Sequence, residues 1–172
     1  MIHQGSSHMG AKPPWYDSGM SIQQKIEELG FTLPETPAPV ANYVPAIHVG
    51  NEVRTSGQIP MKDGVLLFHG SVPSEQSTEA ATNAAQLCGL NAISAAATAI
   101  GDLERLKGVV QLRVYIASDA KFEGHSSIAN GVSDLMVNIF GEAGRHTRVA
   151  MGSIGLPLGA TVEVEAVFST KQ

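Results

Sequence analysis

The chain has 172 residues, 43% hydrophobic and 16% charged, the composition of a single globular domain with a buried core. Its formal net charge of -5 and pI near 5.6 argue against broad, charge-driven nucleic-acid binding. No apolar run approaches the roughly 20 residues that span a bilayer, and one cysteine, Cys88, excludes an intrachain disulfide and suits a reducing, cytoplasmic compartment.

Gly5-Ser-Ser-His-Met9 reads as a cloning remnant and Met20 as a natural start. Residues 1–19 are therefore read as a tag, leader or flexible arm, and 20–172 as one domain. Ser21 to Leu29 predicts a short helix: Ser21 caps it, Ile22, Ile26 and Leu29 share a face, and Gly30 stops it. Prolines 34, 37, 39 and 45 keep the next stretch extended, and Tyr43 stands near its end, placed to pack as a wall or to face a ligand. Ala46–Val49 and Glu52–Ser56 predict two strands joined at Gly50-Asn51. The second runs into Ser56-Gly57-Gln58-Ile59-Pro60, which is either a strand-ending turn or a place where backbone approaches a ligand closely. Lys62-Asp63-Gly64 adds a turn and Val65–Phe68 a brief strand.

From Ser77 to about Ile100 a long alanine-rich helix is predicted, capped by Ser74 or Ser77, with Cys88 as a small buried hydrophobe. Leu106–Ala117 is a core strand, apolar on both faces over Val109–Ile116, and Asp119 opens a second helix over about Ala120–Phe140. His125 and His146 have no partner at metal-ligand spacing and read as structural or surface residues. Arg145 to Glu165 then holds Arg145 and Arg148, the apolar run Val149–Met151, a Gly/Pro-rich turn and the alternation Thr161–Phe168, with Glu163 and Glu165 on one face. Two strands joined by a turn would set Arg148 near Glu163 if they pair. That pair is either an ordinary surface ion pair or a carboxylate-gripping fork beside a water-holding carboxylate. P-loop, dinucleotide and serine-elbow signatures do not occur. The order predicts an α+β two-layer sandwich, a mixed sheet with two helices on one face, and a second sheet face covered by oligomerisation.

Tyr43 after the proline-rich lead, Thr55-Ser-Gly-Gln-Ile-Pro60, and Arg148 followed by Pro157 and Val162-Glu-Val-Glu-Ala166 resemble the YjgF/RidA family, also called the endoribonuclease L-PSP family, with a chorismate-mutase-like fold. The resemblance runs from about Ala38 to Phe168 and fits a longer branch of that family. It implies a homotrimer with three clefts between subunits, in which 2-imino or enamine acids are hydrolysed to 2-keto acids and ammonia without metal or organic cofactor. It implies that Arg148 grips the substrate carboxylate, that Glu163 orients the water, and that Tyr43, Ser56 and Gly57 line the cleft. Ala150 departs from the family pattern, which often has cysteine there. The extra segment around Met61–Val72 and the cation Arg145 are further departures. The alternatives are a non-catalytic trimer that binds a small carboxylate as sensor or chaperone-like module, an endoribonuclease, and a chorismate mutase built on Arg54, Arg113 and Arg145. An acidic chain without a basic stripe speaks against the endoribonuclease.

Overall fold

The computed structural model describes residues 19–36 and 42–171. Almost all of the expected leader, and prolines 37 and 39, lie outside them. Helix α1 (Ile22–Glu28) opens with a full capping box: Ser21 Oγ accepts from the Gln24 amide, and the Gln24 side chain accepts from the Ser21 amide. Two strands follow, β1 (Ala46–Val49) and β2 (Glu52–Thr55), then a two-stranded ribbon, β3 (Met61–Lys62) and β4 (Val65–Leu66). Helix α2 (Thr78–Ile100) is capped by Ser77, whose Oγ accepts from the Ala80 amide, while Ser74 donates to Asp119 instead. Strand β5 (Leu106–Ala117), helix α3 (His125–Phe140), strand β6 (Thr147–Ser153) and strand β7 (Val162–Thr170) complete the chain. Helix α3 starts later than the pattern suggested. Its N-cap is Gly124, and Phe122 packs edge-on against the His125 ring, with 5.1 Å between centroids.

The sheet order is β1-β2-β7-β5-β6, antiparallel except for the parallel pair β5 and β6. Helices α2 and α3 cover one face, which makes the mixed two-layer α+β arrangement expected from the element order. The core lies between the layers. Val162, Val164, Ala166 and Phe168 of β7, with Leu112, Val114 and Ile116 of β5, meet Ala81, Ala84, Ala85, Cys88 and Ala92 of α2, all essentially fully buried. The small side chains of α2 let its backbone approach the sheet closely, and burying one large residue such as Phe168 stabilises the fold by about 1.5–3 kcal/mol.

Two expectations need correction. Strands β6 and β7 do not pair, because β5 lies between them. The turn connecting them is therefore a crossover over β5, not a hairpin. Strand β5 is also not apolar on both faces: the face away from the helices carries Arg113 and Tyr115, which exchange contacts with Glu165. The exposed apolar residues of that open face are Val110 of β5 and, on the outer strands, Ile47 and Val49 of β1 and Val149 and Met151 of β6.

Candidate functional site

Arg148 lies on the edge strand β6, in register with Leu112 of β5, and Leu112 is in register with Ala166 of β7. Leu112 and Ala166 are buried under the helices, so the Arg148 side chain also points to the helix side. There α3 receives it. Its Nη1 donates to Asn130 Oδ1 at 2.9 Å and to Ser133 Oγ at 3.0 Å, and its Nη2 reaches the Ser126 carbonyl at 3.5 Å. A guanidinium has five N–H donors. Both on Nη1 are thus committed to neutral partners, and among the described residues Nε and the second Nη2 hydrogen are left to form a side-on fork. Such a fork matches a carboxylate bidentately. No carboxylate pairs with Arg148 among the described residues, which removes the ordinary surface ion pair as its explanation.

Glu163 lies on β7 in register with Tyr115, on the face away from the helices. The adjacent carboxylates behave differently. Glu165 is paired, accepting from Arg113 Nη1 at 3.1 Å and from Tyr115 Oη at 3.4 Å. No donor meets the Glu163 carboxylate among the described residues. Burial first, and the neighbouring Glu165 charge second, push the Glu163 carboxyl above its ordinary value. A half-buried, unpaired carboxylate with a raised pKa is the state a water-activating base requires.

The loop leaving β2 is built around that carboxylate. Gln58 exchanges both backbone bonds with Val164, at 2.9 Å each way, and Thr55 Oγ1 accepts from the Ala166 amide at 3.0 Å. Between them the chain bows out at Ser56-Gly57, so Glu163 packs directly on Gly57: a Cβ added there would stand 2.7 Å from Glu163 Cδ. Glycine is required here by proximity rather than by backbone angle. Ser56 Oγ donates to the Val44 carbonyl at 2.7 Å and its amide to the Pro45 carbonyl at 2.8 Å, tying down the lead that carries the half-exposed Tyr43. Gly57 therefore touches Glu163 directly, Ser56 adjoins it, and Tyr43 is anchored through the same loop.

Arg148 is not part of that group. It is on the opposite face of the sheet, and β5 separates its strand from that of Glu163. Within one copy of the chain the two residues cannot act on one small molecule. The other arginines named from the sequence are each paired: Arg54 with Glu52 at 2.8 Å, Arg113 with Glu165 at 3.1 Å and Arg145 with Glu142 at 2.9 Å. A depression of about 380 Å³ on the open face holds the first two pairs and includes neither Arg148 nor Glu163. This geometry offers no converging set of unpaired cations for a dicarboxylate such as chorismate. Among the described residues no cluster of three or more His, Cys, Asp or Glu is placed to hold a metal ion, and no helix is long and apolar enough to cross a membrane. Cys88 is fully buried, and burial pushes its thiol well above the usual range, so it is an inert core residue.

Sequence reasoning missed the residues that hold Arg148. Ser126, Asn130 and Ser133 fall at i, i+4 and i+7, an uncharged polar stripe along one face of α3. That spacing was visible in the chain, but nothing local says which strand the stripe faces. Ala150, on the same face of β6 as Arg148, packs against the core.

Three comparisons bear on this arrangement. The family model described as "YjgF/chorismate_mutase-like, putative endoribonuclease" matches residues 23–169. Protein TCP17 of Trypanosoma cruzi is 39% identical over 147 residues, covering 85% of this chain and 92% of that protein. Among solved structures, the protein Atu1372 from Agrobacterium tumefaciens, described as of unknown function, superposes with a TM-score of 0.82 at 37% identity, covering 87% of this chain and 92% of that one. A "putative endoribonuclease" from Shewanella oneidensis superposes with a TM-score of 0.83 at 32% identity, covering 87% and 99%. Escherichia coli TdcF with bound serine is more distant, with a TM-score of 0.57 at 22% identity over 80% of this chain and 94% of that one, and shares the fold. With its sheet order, the Ser56-Gly57 loop against Glu163 and the match over residues 23–169, this chain belongs to the YjgF/RidA family, the endoribonuclease L-PSP group with a chorismate-mutase-like fold.

Proposed function

We propose that three copies of this chain assemble into a trimer that hydrolyses reactive 2-imino or enamine acids to 2-keto acids and ammonia in clefts between subunits. One subunit presents Arg148 with its α3 supports. Its neighbour presents Glu163 with Gly57, Ser56 and Tyr43. The observation that carries this reading is the complementary incompleteness of the two half-sites. Arg148 keeps an unused side-on fork on one face, and Glu163 keeps an unpaired carboxylate with a raised pKa on the other. Only a second copy can bring them together, and the exposed Ile47, Val49, Val149 and Met151 support such packing.

In the cleft the substrate carboxylate lies on the Arg148 fork, which orients the imine carbon. Glu163 accepts a proton from a water as its oxygen bonds to that carbon. That proton passes to the nitrogen to give the carbinolamine. Glu163 then takes the hydroxyl proton and hands it to the same nitrogen as the C–N bond breaks and the C=O bond forms, and ammonia and the 2-keto acid leave. Every atom comes from imine and water. The direct test generates 2-iminopropanoate with an amino-acid oxidase and traps the remainder with semicarbazide. The protein is expected to accelerate imine loss and ammonia release, and Arg148→Ala to abolish the acceleration. Equal rates for both proteins would remove Arg148 from the mechanism, and saturable pyruvate binding without turnover would leave a carboxylate-binding module. A monomer by light scattering at micromolar concentrations would overturn the shared cleft.

A further inference from the structure

Behind Arg148 lies a chain of hydrogen bonds with a defined direction. The His146 Nδ1 is 2.6 Å from the Gly144 carbonyl oxygen, and its Nε2 is 3.0 Å from Ser133 Oγ. A carbonyl oxygen only accepts, so Nδ1 carries the proton. In the neutral ring Nε2 is then an acceptor, and Ser133 donates to it. That leaves the Ser133 lone pairs to receive Arg148 Nη1 at 3.0 Å. The order from the site inward is Arg148, Ser133, His146, Gly144, each donating to the next.

This arrangement responds to protonation. An imidazolium at position 146 turns Nε2 into a donor. Ser133 then has to accept from both His146 and Arg148 and swing its own hydrogen away, as a hydroxyl with two lone pairs can. Two cations would then face each other across one oxygen. The surroundings oppose that state: burial first, and the Arg148 charge as well, hold His146 below its ordinary value, against the Gly144 bond, which raises it. The other charged groups nearby do not offset this. Glu142 and Arg145, on the turn preceding His146, pair with each other at 2.9 Å. On α3, Asp134 beside Ser133 is exposed to solvent. From β6 the one charge directed at the ring is Arg148 itself.

A carboxylate on the free fork of Arg148 offsets the Arg148 share of what keeps His146 neutral, while the share from burial stays. We propose that Ser133 and His146 form a proton-coupled support for Arg148, in which capture of a carboxylate by Arg148 is accompanied by uptake of a proton at His146. This rests on the reading of Arg148 as the carboxylate's partner. Ser133 and His146 are positioning residues here, since neither needs to touch the ligand. The coupling is reciprocal: if the anion favours the protonated ring, affinity for the anion rises as pH falls through the His146 titration. About three hydrogen-bond lengths separate the anion from the ring through the guanidinium, and in water-like surroundings Coulomb's law gives a tightening of about two-fold or more.

The experiment uses the full chain, with pyruvate as probe. NMR of the His146 ring first follows its titration in wild type and in Arg148→Gln without ligand. The titration is expected to move to higher pH in the variant, and an unchanged titration overturns the coupling whatever binds. The wild type is then titrated with saturating pyruvate, and calorimetry in buffers of different ionisation enthalpy counts protons taken up on binding. The expected results are an upward move of the His146 titration, net proton uptake, and pyruvate affinity that improves by about two-fold or more between about pH 8 and about pH 5. In His146→Gln, compared with wild type in a Glu163→Gln background that removes the other carboxyl of the cleft, proton uptake is expected to vanish and affinity to become flat with pH. Pyruvate that binds without moving His146 or taking up protons refutes this inference alone. Pyruvate that binds at no pH refutes both it and the assignment of Arg148 above. The two wild-type measurements need no variant to fold.

Discussion

Gly57→Ala separates the position of a carboxylate from the integrity of the fold. The new Cβ would stand 2.7 Å from Glu163 Cδ and 3.0 Å from its Cγ, closer still to one carboxylate oxygen. Ordinary contact begins near 3.4 Å, so the carboxylate carbon has to retreat by about 0.7 Å and the oxygen by more. The backbone at Gly57 is not in the left-handed region, so alanine is conformationally tolerated. The obstructing atoms belong to a flexible, half-exposed side chain. The fold should therefore lose less than about 1 kcal/mol. Catalysis should lose far more, because displacing a reacting group by about 1 Å costs on the order of 100-fold. The assay is imine loss in the semicarbazide-trapping format, reported as kcat and KM, beside a thermal melt. The expected outcome is a fall in kcat of roughly 30- to 100-fold with a near wild-type melt. A folded variant with wild-type kcat would show that the place of the Glu163 carboxylate is irrelevant to turnover, and the water-activating role would fall with it.

Three further outcomes follow from the structure. The Glu163 carboxyl is raised in the folded state, so the folded chain binds its proton more tightly than the unfolded chain does. Its ionisation therefore destabilises the fold, a cost that is fully present at neutral pH and vanishes as pH falls below the usual carboxylate range. Glu163→Gln should melt higher than wild type at pH 7 and equally at about pH 4, and a lower melt at pH 7 would contradict the desolvated carboxylate. Gly131→Ala, at the contact of α3 with α2, puts a Cβ 2.5 Å from the Thr82 carbonyl oxygen, which is helix backbone and cannot step aside. It should cost about 1–3 kcal/mol, measured by urea denaturation, and a neutral effect would mean the helices separate freely. Cys88, buried with its thiol pushed up, should resist a thiol reagent such as dithionitrobenzoate at pH 8 and react only as the chain unfolds. Rapid labelling of the native protein would refute its burial.

Local signals in the chain carry most of the element list. Ser21 and Ser77 cap their helices because a side-chain oxygen satisfies an amide the helix leaves free, and that requirement is legible three residues at a time. The alternation Val162 to Phe168 likewise sorts itself into a buried and an open face, since strand side chains point alternately. The start of α3 was misjudged because Asp119 looks like a cap. Its side chain instead accepts from Ser74, forty-five residues earlier, a contact that no local pattern reports.

Composition, capping and periodicity, together with the SGQIP and Arg-Pro-Glu motifs, determined the fold class, the family and the residues around which a site could form. They acted through interactions within a few residues of each other, which is why they can be read directly. What only the tertiary structure decided is who meets whom. Strand β5 enters between β6 and β7 and parts Arg148 from Glu163. Glu165 is neutralised by Arg113, while Glu163 has no partner among the described residues. The stripe Ser126, Asn130, Ser133 turns toward Arg148, with His146 behind it. Those outcomes depend on strand order and on which helix face packs inward, and both are set by burying the whole core at once rather than by any one segment.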